Sequence, residues 1–468
     1  MDLKQIKSIH FVGIKGVAMT ALAILAKESG VIVSGSDVQE EFPTDMTLHR
    51  FGISYDSGFA DSHLPQNLDL VIYTGAHQGV NNIEVQTAKT RGIPVLPHGK
   101  ALGLFMEGKR GISVAGSHGK TTTSALIAHT LMHLGKDPSF AVGCGEILSL
   151  KTSGHLGKGD FFVVEGDEYV TDPTSDQVPR FMWQKPEVLV ITNIDFDHPD
   201  VYKDLKEVKK AFVDFANSLS EKAIVVVNID NEPLFSILQQ IKRKIITYGQ
   251  KEGADFKLGT VTFNSGETVF EIYYKNKKSV SFSLKIPGVH NAQNATGAIA
   301  ALVNLGIQPE ELREPILTFS GTKRRFEFVA EKNNKLLYDD YAHHPTEIEA
   351  TLNAARGWFP EKRLVVIFQP HTYSRTQALL SEFGKCFTQA DRVLLTEIYA
   401  SAREEPISGI SGIALYEEIK KRHLGVHFAP KRNDVLQWLE ANSRQNDLIL
   451  TMGAGDIFTW IPSIMEII

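Results

Sequence analysis

The sequence predicts an α/β protein of three domains. Apolar, β-branched runs alternate with helix-like stretches over most of the chain, the pattern of parallel strands covered on both faces. After Gly253 the texture changes to period-2 alternation, the mark of antiparallel strands, before the first pattern returns. The length of 468 residues suits about three domains of roughly 150 residues each.

In the first unit, placed at 1–108, "SIHFVGI" reads as a strand feeding the helix "VAMTALAILAKESG". "VIVSGSD", "LDLVIYTGA" and "IPVLP" follow as strands, with a helix near "NNIEVQTAKTRG". In the second unit, 109–319, "RGISVAGS" opens a strand and a helix is expected over 120–135. "DFFVVEGDE", "PEVLVITNID", "KAIVVVN" and "RKIITYG" add buried strands. "DFKLGTVTF", "TVFEIYYKN" and "SVSFSLKIPG" form a small antiparallel set, and helices over 291–306 and 310–319 end the unit. The third unit, 320–468, begins where "SGTKRRFE" interrupts the periodicity. Its expected order is strand "KLLYDDYA", helix "TEIEATLNAARGWF", strand "RLVVIFQP", helix "QALLSEFGKCFTQA", then strands "RVLLTEIYA" and "DLILTMGAGD".

"VAGSHGKTTTSALIAHTL" joins a strand to a helix through a Gly-rich turn. A phosphate loop ordinarily has a further Gly six positions before its Lys. Here that position is Val114, and the upstream glycine is Gly116. Even shortened, the turn offers unpaired N–H groups and a helix N-terminus to an anion. Lys120 can reach terminal phosphates, and the Thr121 hydroxyl can ligate Mg²⁺. The plain alternative is a tight turn with a solvated lysine.

Two apolar strands end in acids. "VVEGDEYV" carries Glu165, Asp167 and Glu168, and "VITNIDFDHPD" carries Asn193, Asp195, Asp197 and His198. Carboxylates at a buried strand end are costly unless paired or metal-bound, and in α/β sheets that edge is where ligands bind. Glu165 is a candidate Mg²⁺ ligand. His198 alone would read as structural, since Mg²⁺ prefers oxygen; beside the loop and Glu165 it reads as a metal ligand. "HFVGIKGVAM" places Gly13 and Gly16 between strand and helix, and Asp37 ends the next strand about 20 residues on, where an acid can bind ribose. This points to a second diphosphate site.

A net charge of −6 gives no reason to expect nucleic acid or an anionic membrane as partner. Cys144 and Cys386 make neither a metal spacing nor a disulfide framework, and are expected as buried thiols in a reducing compartment. No apolar run reaches the roughly 20 residues of a membrane span, and the N-terminus reads as a strand rather than a signal peptide. The expected location is the cytoplasm.

Taken together, the motifs resemble those of the Mur ligases of peptidoglycan synthesis, over essentially the whole chain. "GSHGKTTT" is similar to that family's shortened phosphate loop, and "EGDEY" and "TNIDFDHPD" to its EADES-like and TNIEADH-like segments. "PGVHNAQNATGAIAA" matches its adenine-side motif; "GTKRRFE", "DDYAHHPTE" and "FQPHTYSRT" match three C-terminal signatures in order.

The resemblance implies a Rossmann-like UDP-binding domain, a central P-loop ATPase-like domain with a parallel sheet plus a small antiparallel sheet, and a C-terminal Rossmann-like domain. It implies ATP-dependent ligation of L-alanine to the carboxylate of UDP-N-acetylmuramate, with Mg²⁺ or alternatively Mn²⁺, by a monomer or homodimer. Gly116, Gly119, Lys120, Thr121 and Thr122 would hold the ATP phosphates. His290, Asn291 and Asn294 would lie near adenine, Arg325 at phosphate and Asp340 at the ribose. Thr121, Glu165 and His198 would serve metal, and His343 would stand near the reacting groups. Gly13, Gly16, Ser36, Asp37 and Asn193 would bind the UDP substrate, and His371 and Arg375 the amino acid. The plain alternative for Arg375 is a surface pairing with a helix acid such as Glu382.

Two departures stand out: "EGDEYVTDPTSDQ" differs from the commoner EADESDxSF, and Thr372 stands where many relatives carry Arg. No modified lysine is assigned. The rival readings are a recycling ligase that adds a tripeptide, against which "FQPHTYSRT" and "TEIYASAREEP" argue, and a non-catalytic nucleotide-binding scaffold.

Overall fold

The computed structural model describes residues 3–264, 266–274, 277–400 and 404–468. Residues 401–403 of "TEIYASAREEP" and the last two of "TVFEIYYKN" lie outside them.

Three parallel-dominated sheets follow one another along the chain. The first is wholly parallel, in the order Asp56–Ser57, Ile32–Asp37, Ser8–Val12, Leu70–Tyr73, Val95–Pro97. The chain leaves Ser8–Val12 to build first one flank and then the other. The carboxyl end of that strand is therefore a topological switch point, and Gly13 to Gly16 sit there. Helix Val17–Glu28 packs Leu22, Ile24 and Leu25 against Ile9, Phe11 and Ile72.

The second sheet has ten strands. Arg110–Ala115 lies at its centre between Val188–Ile191 and Phe161–Gly166, all parallel. Hence the phosphate loop, the Glu165 segment and the Asn193 segment emerge side by side at one sheet edge. The antiparallel strands Phe256–Asn264, Glu267–Tyr274 and Lys277–Leu284 are not a separate small sheet as expected. Phe256 pairs in parallel with Tyr248 and carries the main sheet onward. Helix Lys120–His133 and helix Val289–Asn304 cover one face over a shared core that includes Leu126, Ile127, Val163, Tyr248, Ala298 and Ile299.

The third sheet runs Glu327–Lys332, Lys335–Asp340, Asp447–Met452, Arg363–Phe368, Arg392–Leu395, Val426–Phe428, antiparallel only in its first pair. The expected helix "QALLSEFGKCFTQA" is broken into Tyr373–Ala378 and Leu380–Phe383, because Leu379 leaves helical geometry at φ −116 and ψ 22. The expected helix over 310–319 is a 3₁₀ turn, Pro309–Leu312, followed by Arg313–Thr318. Both cysteines are buried and free. Among the described residues no helix is long and apolar enough to cross a membrane.

Candidate active site

Val114, the position without the usual glycine, is a fully buried residue inside the strand. The loop proper runs from Gly116 to Gly119. Gly119 has φ +80, and a Cβ there would come within 2.5 Å of Asn294 Oδ1, so the turn admits only glycine without strain. No side chain caps helix Lys120–His133, so its first N–H groups remain available to an anion.

This loop is the wall between two cavities. One, of about 350 Å³, is lined by Thr122, His290, Asn291, Asn294 and Asp340 among others. The other, of about 310 Å³, is lined by Val17, Ala18, His98, Lys120, Glu165, Arg180, His198 and His343 among others. Gly119, Thr121, Arg325 and Glu347 line both. Thr122, His290, Asn291, Asn294 and Asp340, expected for ATP, thus gather on one side of the loop, while Lys120 faces the other. Those expected for metal and chemistry gather on the other.

Lys120 Nζ donates to both oxygens of Glu168, at 3.1 and 2.8 Å, and Glu168 is buried. Burial alone would lower the lysine pKa; the charges of Glu168, Asp167 and Glu165 outweigh it and raise it, so the ammonium is permanent. Thr121 Oγ1 donates to Glu165 Oε1 at 3.1 Å, and Gly143 N–H donates to Oε2 at 3.0 Å. Burial raises the Glu165 pKa, with Lys120 opposing it. A cation beside this desolvated carboxylate would relieve that cost, and the hydroxyl–carboxylate pair is an oxygen donor set that suits Mg²⁺. His198 stands in the same cavity at φ +60, its ring edge-on to Tyr169.

Among the described residues, one group of three carboxylate and imidazole ligands is close enough to share an ion: His118, Asp195 and His344. It is built as an ion pair instead. His118 Nε2 lies 3.1 Å from Asp195 and its Nδ1 3.3 Å from Glu347. Burial lowers the His118 pKa, but hydrogen bonds to Asp195 and Glu347 prevail and raise it to about 10.

On the nucleotide side, Asn291 donates to Pro287 O at 2.7 Å and Asn294 to Asn291 Oδ1 at 3.2 Å. Burial, then Arg325, holds His290 neutral with a pKa near about 4. Asp340 ends its strand and accepts from Phe326 N–H and Ala342 N–H, each at 2.7 Å; burial lifts its pKa to about 6 against the pull of Arg325. Asn193, expected with the UDP substrate, is placed elsewhere. Its amide brackets the peptide of His118, accepting from the N–H at 2.8 Å and donating to the C=O at 2.9 Å, and it lines the nucleotide cavity. Both ends of the amide are spent on shaping the phosphate loop.

At the N-terminal turn, Ser36 is fully buried and donates to Glu84. Asp37 is buried too, its oxygens accepting from Lys15 N–H at 2.7 Å and Val38 N–H at 2.8 Å. The Asp37 side chain thus shapes the Gly13–Gly16 turn from behind, and the Ser36 carbonyl accepts from Gly13 N–H and Ile14 N–H. At the C-terminal end Arg375 is not the surface residue paired with Glu382. It is buried, pairs with Asp197 at 2.7 Å, and its Nη1 lies 3.4 Å from His371 Nδ1. His371 is edge-on to His343, whose pKa burial and Arg375 drive down to about 3. Asp197 and His343 line the second cavity, whereas His371 and Arg375 stand behind them. Thr372 has φ +68, a strained value for a β-branched residue, at the start of this segment.

Sequence reading named Glu168 and Asp197 only as strand-end acids without a role, and missed Glu347 and His118. Each lay inside a quoted motif; what identifies them is an oppositely charged partner from another domain or another strand end.

Comparison with known proteins places the chain in a family. The profile described as "Mur ligase family, catalytic domain" matches residues 8–110, "Mur ligase middle domain" matches 114–302, and "Mur ligase, glutamate ligase domain" matches 324–455. A UDP-N-acetylmuramate–L-alanine ligase of Carboxydothermus hydrogenoformans is 40% identical over 97% of this chain and 95% of its own length. One from Caldanaerobacter subterraneus is 38% identical over 98% and 97%. Among solved structures, the UDP-N-acetylmuramate-alanine ligase of Thermotoga maritima aligns with a TM-score of 0.82 at 29% identity, covering 98% of both chains. A murein peptide ligase of Psychrobacter arcticus shares the fold, at TM-score 0.73 and 23% identity.

Proposed function

The chain belongs to the Mur ligase family, and we propose that it joins L-alanine to the carboxylate of UDP-N-acetylmuramate with ATP as phosphoryl donor. The observation that carries this is the phosphate loop standing as a shared wall, with a nucleotide-sized cavity on one side and, on the other, a second cavity that reaches Val17 and Ala18 at the start of the first helix of the N-terminal domain. We assign the UDP-sugar to residues 1–108, ATP to 109–319 and the amino acid to 320–468. The substrates, and thiols kept free, suit a cytoplasmic enzyme.

A carboxylate is a poor acyl donor until it carries a leaving group. Transfer of the γ-phosphoryl to the muramyl carboxylate makes an acyl phosphate; the alanine amine attacks its carbonyl through a tetrahedral intermediate and phosphate departs. Lys120 and Arg325, facing the second cavity from the loop and the C-terminal domain, stabilise charge on the transferring group. Thr121 and Glu165, with His198 nearby, would hold Mg²⁺, which screens the phosphate charge. His343, kept neutral by burial and by Arg375, can accept a hydrogen bond from the attacking amine and orient it. Enclosure between three domains excludes the water that would hydrolyse an acyl phosphate.

Phosphate release is the test. It is expected only with UDP-N-acetylmuramate, ATP and L-alanine together. Release supported by a tripeptide but not by L-alanine would make the chain a recycling ligase, and release with neither acceptor present would remove the ligase reading.

A further inference from the structure

The segment "EGDEYVTDPTSDQ" runs from a strand end into a hairpin of strands Val170–Asp172 and Asp176–Pro179 on the central domain. Its tip leans on the N-terminal domain. Asp172 is fully buried, and its carboxylate accepts four hydrogen bonds. Oδ1 accepts from Thr174 N–H at 2.8 Å and its hydroxyl at 2.7 Å. Oδ2 accepts from the Ser175 hydroxyl at 2.8 Å and, across the domain boundary, from Val80 N–H at 2.9 Å. The approach is so close that a Cβ on Gly79 would fall 2.4 Å from Oδ1.

The loop gripped in this way is unusual. His77, Gln78 and Gly79 all have positive φ, at 52, 70 and 52°. Consecutive left-handed residues persist only where the surroundings over-determine them. The turn is tied by Gly79 N–H to Ala76 O at 2.9 Å and by Asn82 Nδ2 to His77 O at 3.2 Å. It presents His77 to the N-terminal turn: Nε2 lies 3.4 Å from Asp37 Oδ1, and the ring lies against Phe59. Asp37 in turn holds Lys15 N–H at 2.7 Å, inside the Gly13–Gly16 turn.

We propose that Asp172 is a positioning residue for the nucleotide-sugar substrate: by clamping residues 76–82 it sets His77 against Asp37 and holds the Gly13–Gly16 turn in register with the phosphate loop. This rests on the reading above that the turn receives the UDP moiety. Asp172 touches neither cavity; it acts through the loop. An amide in its place has only one acceptor oxygen for donors arriving on both sides, so Asp172→Asn frees one side of the clamp.

The test measures UDP binding by calorimetry, KM for UDP-N-acetylmuramate and for ATP, kcat, and Tm, on the full chain. Asp172→Asn is expected to weaken UDP and to raise the KM of UDP-N-acetylmuramate by about tenfold, as loss of a hydrogen bond to a charged group does, with ATP KM changed by less than about twofold. Ser175→Ala, a milder loss on Oδ2, moves the same quantities by about threefold and keeps the inference testable if Asp172→Asn fails to fold. Combined with His77→Gln, Asp172→Asn adds little to the single variant, since both act on one path. Effects that multiply, or that strike ATP and UDP equally, overturn the proposal. Wild-type protein that binds no UDP overturns instead the reading of the turn, and the positioning role with it.

Discussion

Arg375 and Asp197 form a buried ion pair between the C-terminal and central domains, with Nη2 at 2.7 Å and Nε at 3.3 Å from the same carboxylate oxygen. The guanidinium expected to grip the alanine carboxylate thus already holds a carboxylate of the protein. Asp197 also lines the second cavity, so an incoming amino acid meets this pair at its edge. Arg375→Lys keeps the charge and loses the fork. KM for L-alanine is expected to rise about tenfold, with ATP little changed, because one charged hydrogen bond of roughly 1.5–3 kcal/mol is disrupted. A fall in Tm with alanine KM unchanged would make Arg375 a tie between domains and place the amino acid around His343 and His371.

Lys120→Ala is expected to lower kcat at least ~100-fold, the loss of about 3 kcal/mol of transition-state stabilisation, while UDP-N-acetylmuramate still binds. It also strands buried Glu168. Tm should therefore drop, and adding Glu168→Gln should restore Tm without restoring turnover. Near wild-type kcat in the single variant would take Lys120 out of the mechanism.

Glu165→Gln and His198→Ala are expected to raise the Mg²⁺ concentration needed for half-maximal rate, or to abolish activity. Glu165 should be the more severe, since it accepts from Thr121 and supplies an oxygen ligand. Magnesium titrations that superimpose on wild type, at full rate, would refute the assignment.

His118 links stability to pH. Its folded pKa of about 10 lies above the ordinary 6.5. The stabilisation is complete below pH 6.5 and is lost as pH rises towards about 10. The difference in unfolding free energy between wild type and His118→Gln is expected to be largest near about pH 6 and to shrink through alkaline pH. A difference that does not vary with pH over that range would mean the ring carries no proton between Asp195 and Glu347.

The three α/β units, the shortened phosphate loop and the family are legible in the linear pattern. These are local properties: strand and helix periods repeat within a dozen residues, and a Gly-Lys-Thr turn between strand and helix is read in one window. The pattern also shows that acids end the strands beside the loop. Tertiary structure alone decided what those acids do. Asn193 left the expected UDP site for the phosphate loop because parallel pairing of Val188–Ile191 with Arg110–Ala115 sets the two strand ends together. Arg375, expected to face the amino acid, is turned onto a carboxylate of the protein because Asp197, 178 residues away, receives it. The antiparallel strands joined the main sheet through one short parallel ladder at Tyr248 and Gly249. Charge pairing and burial depend on which distant segments meet, and a linear pattern holds the candidates for such a meeting without fixing the partner.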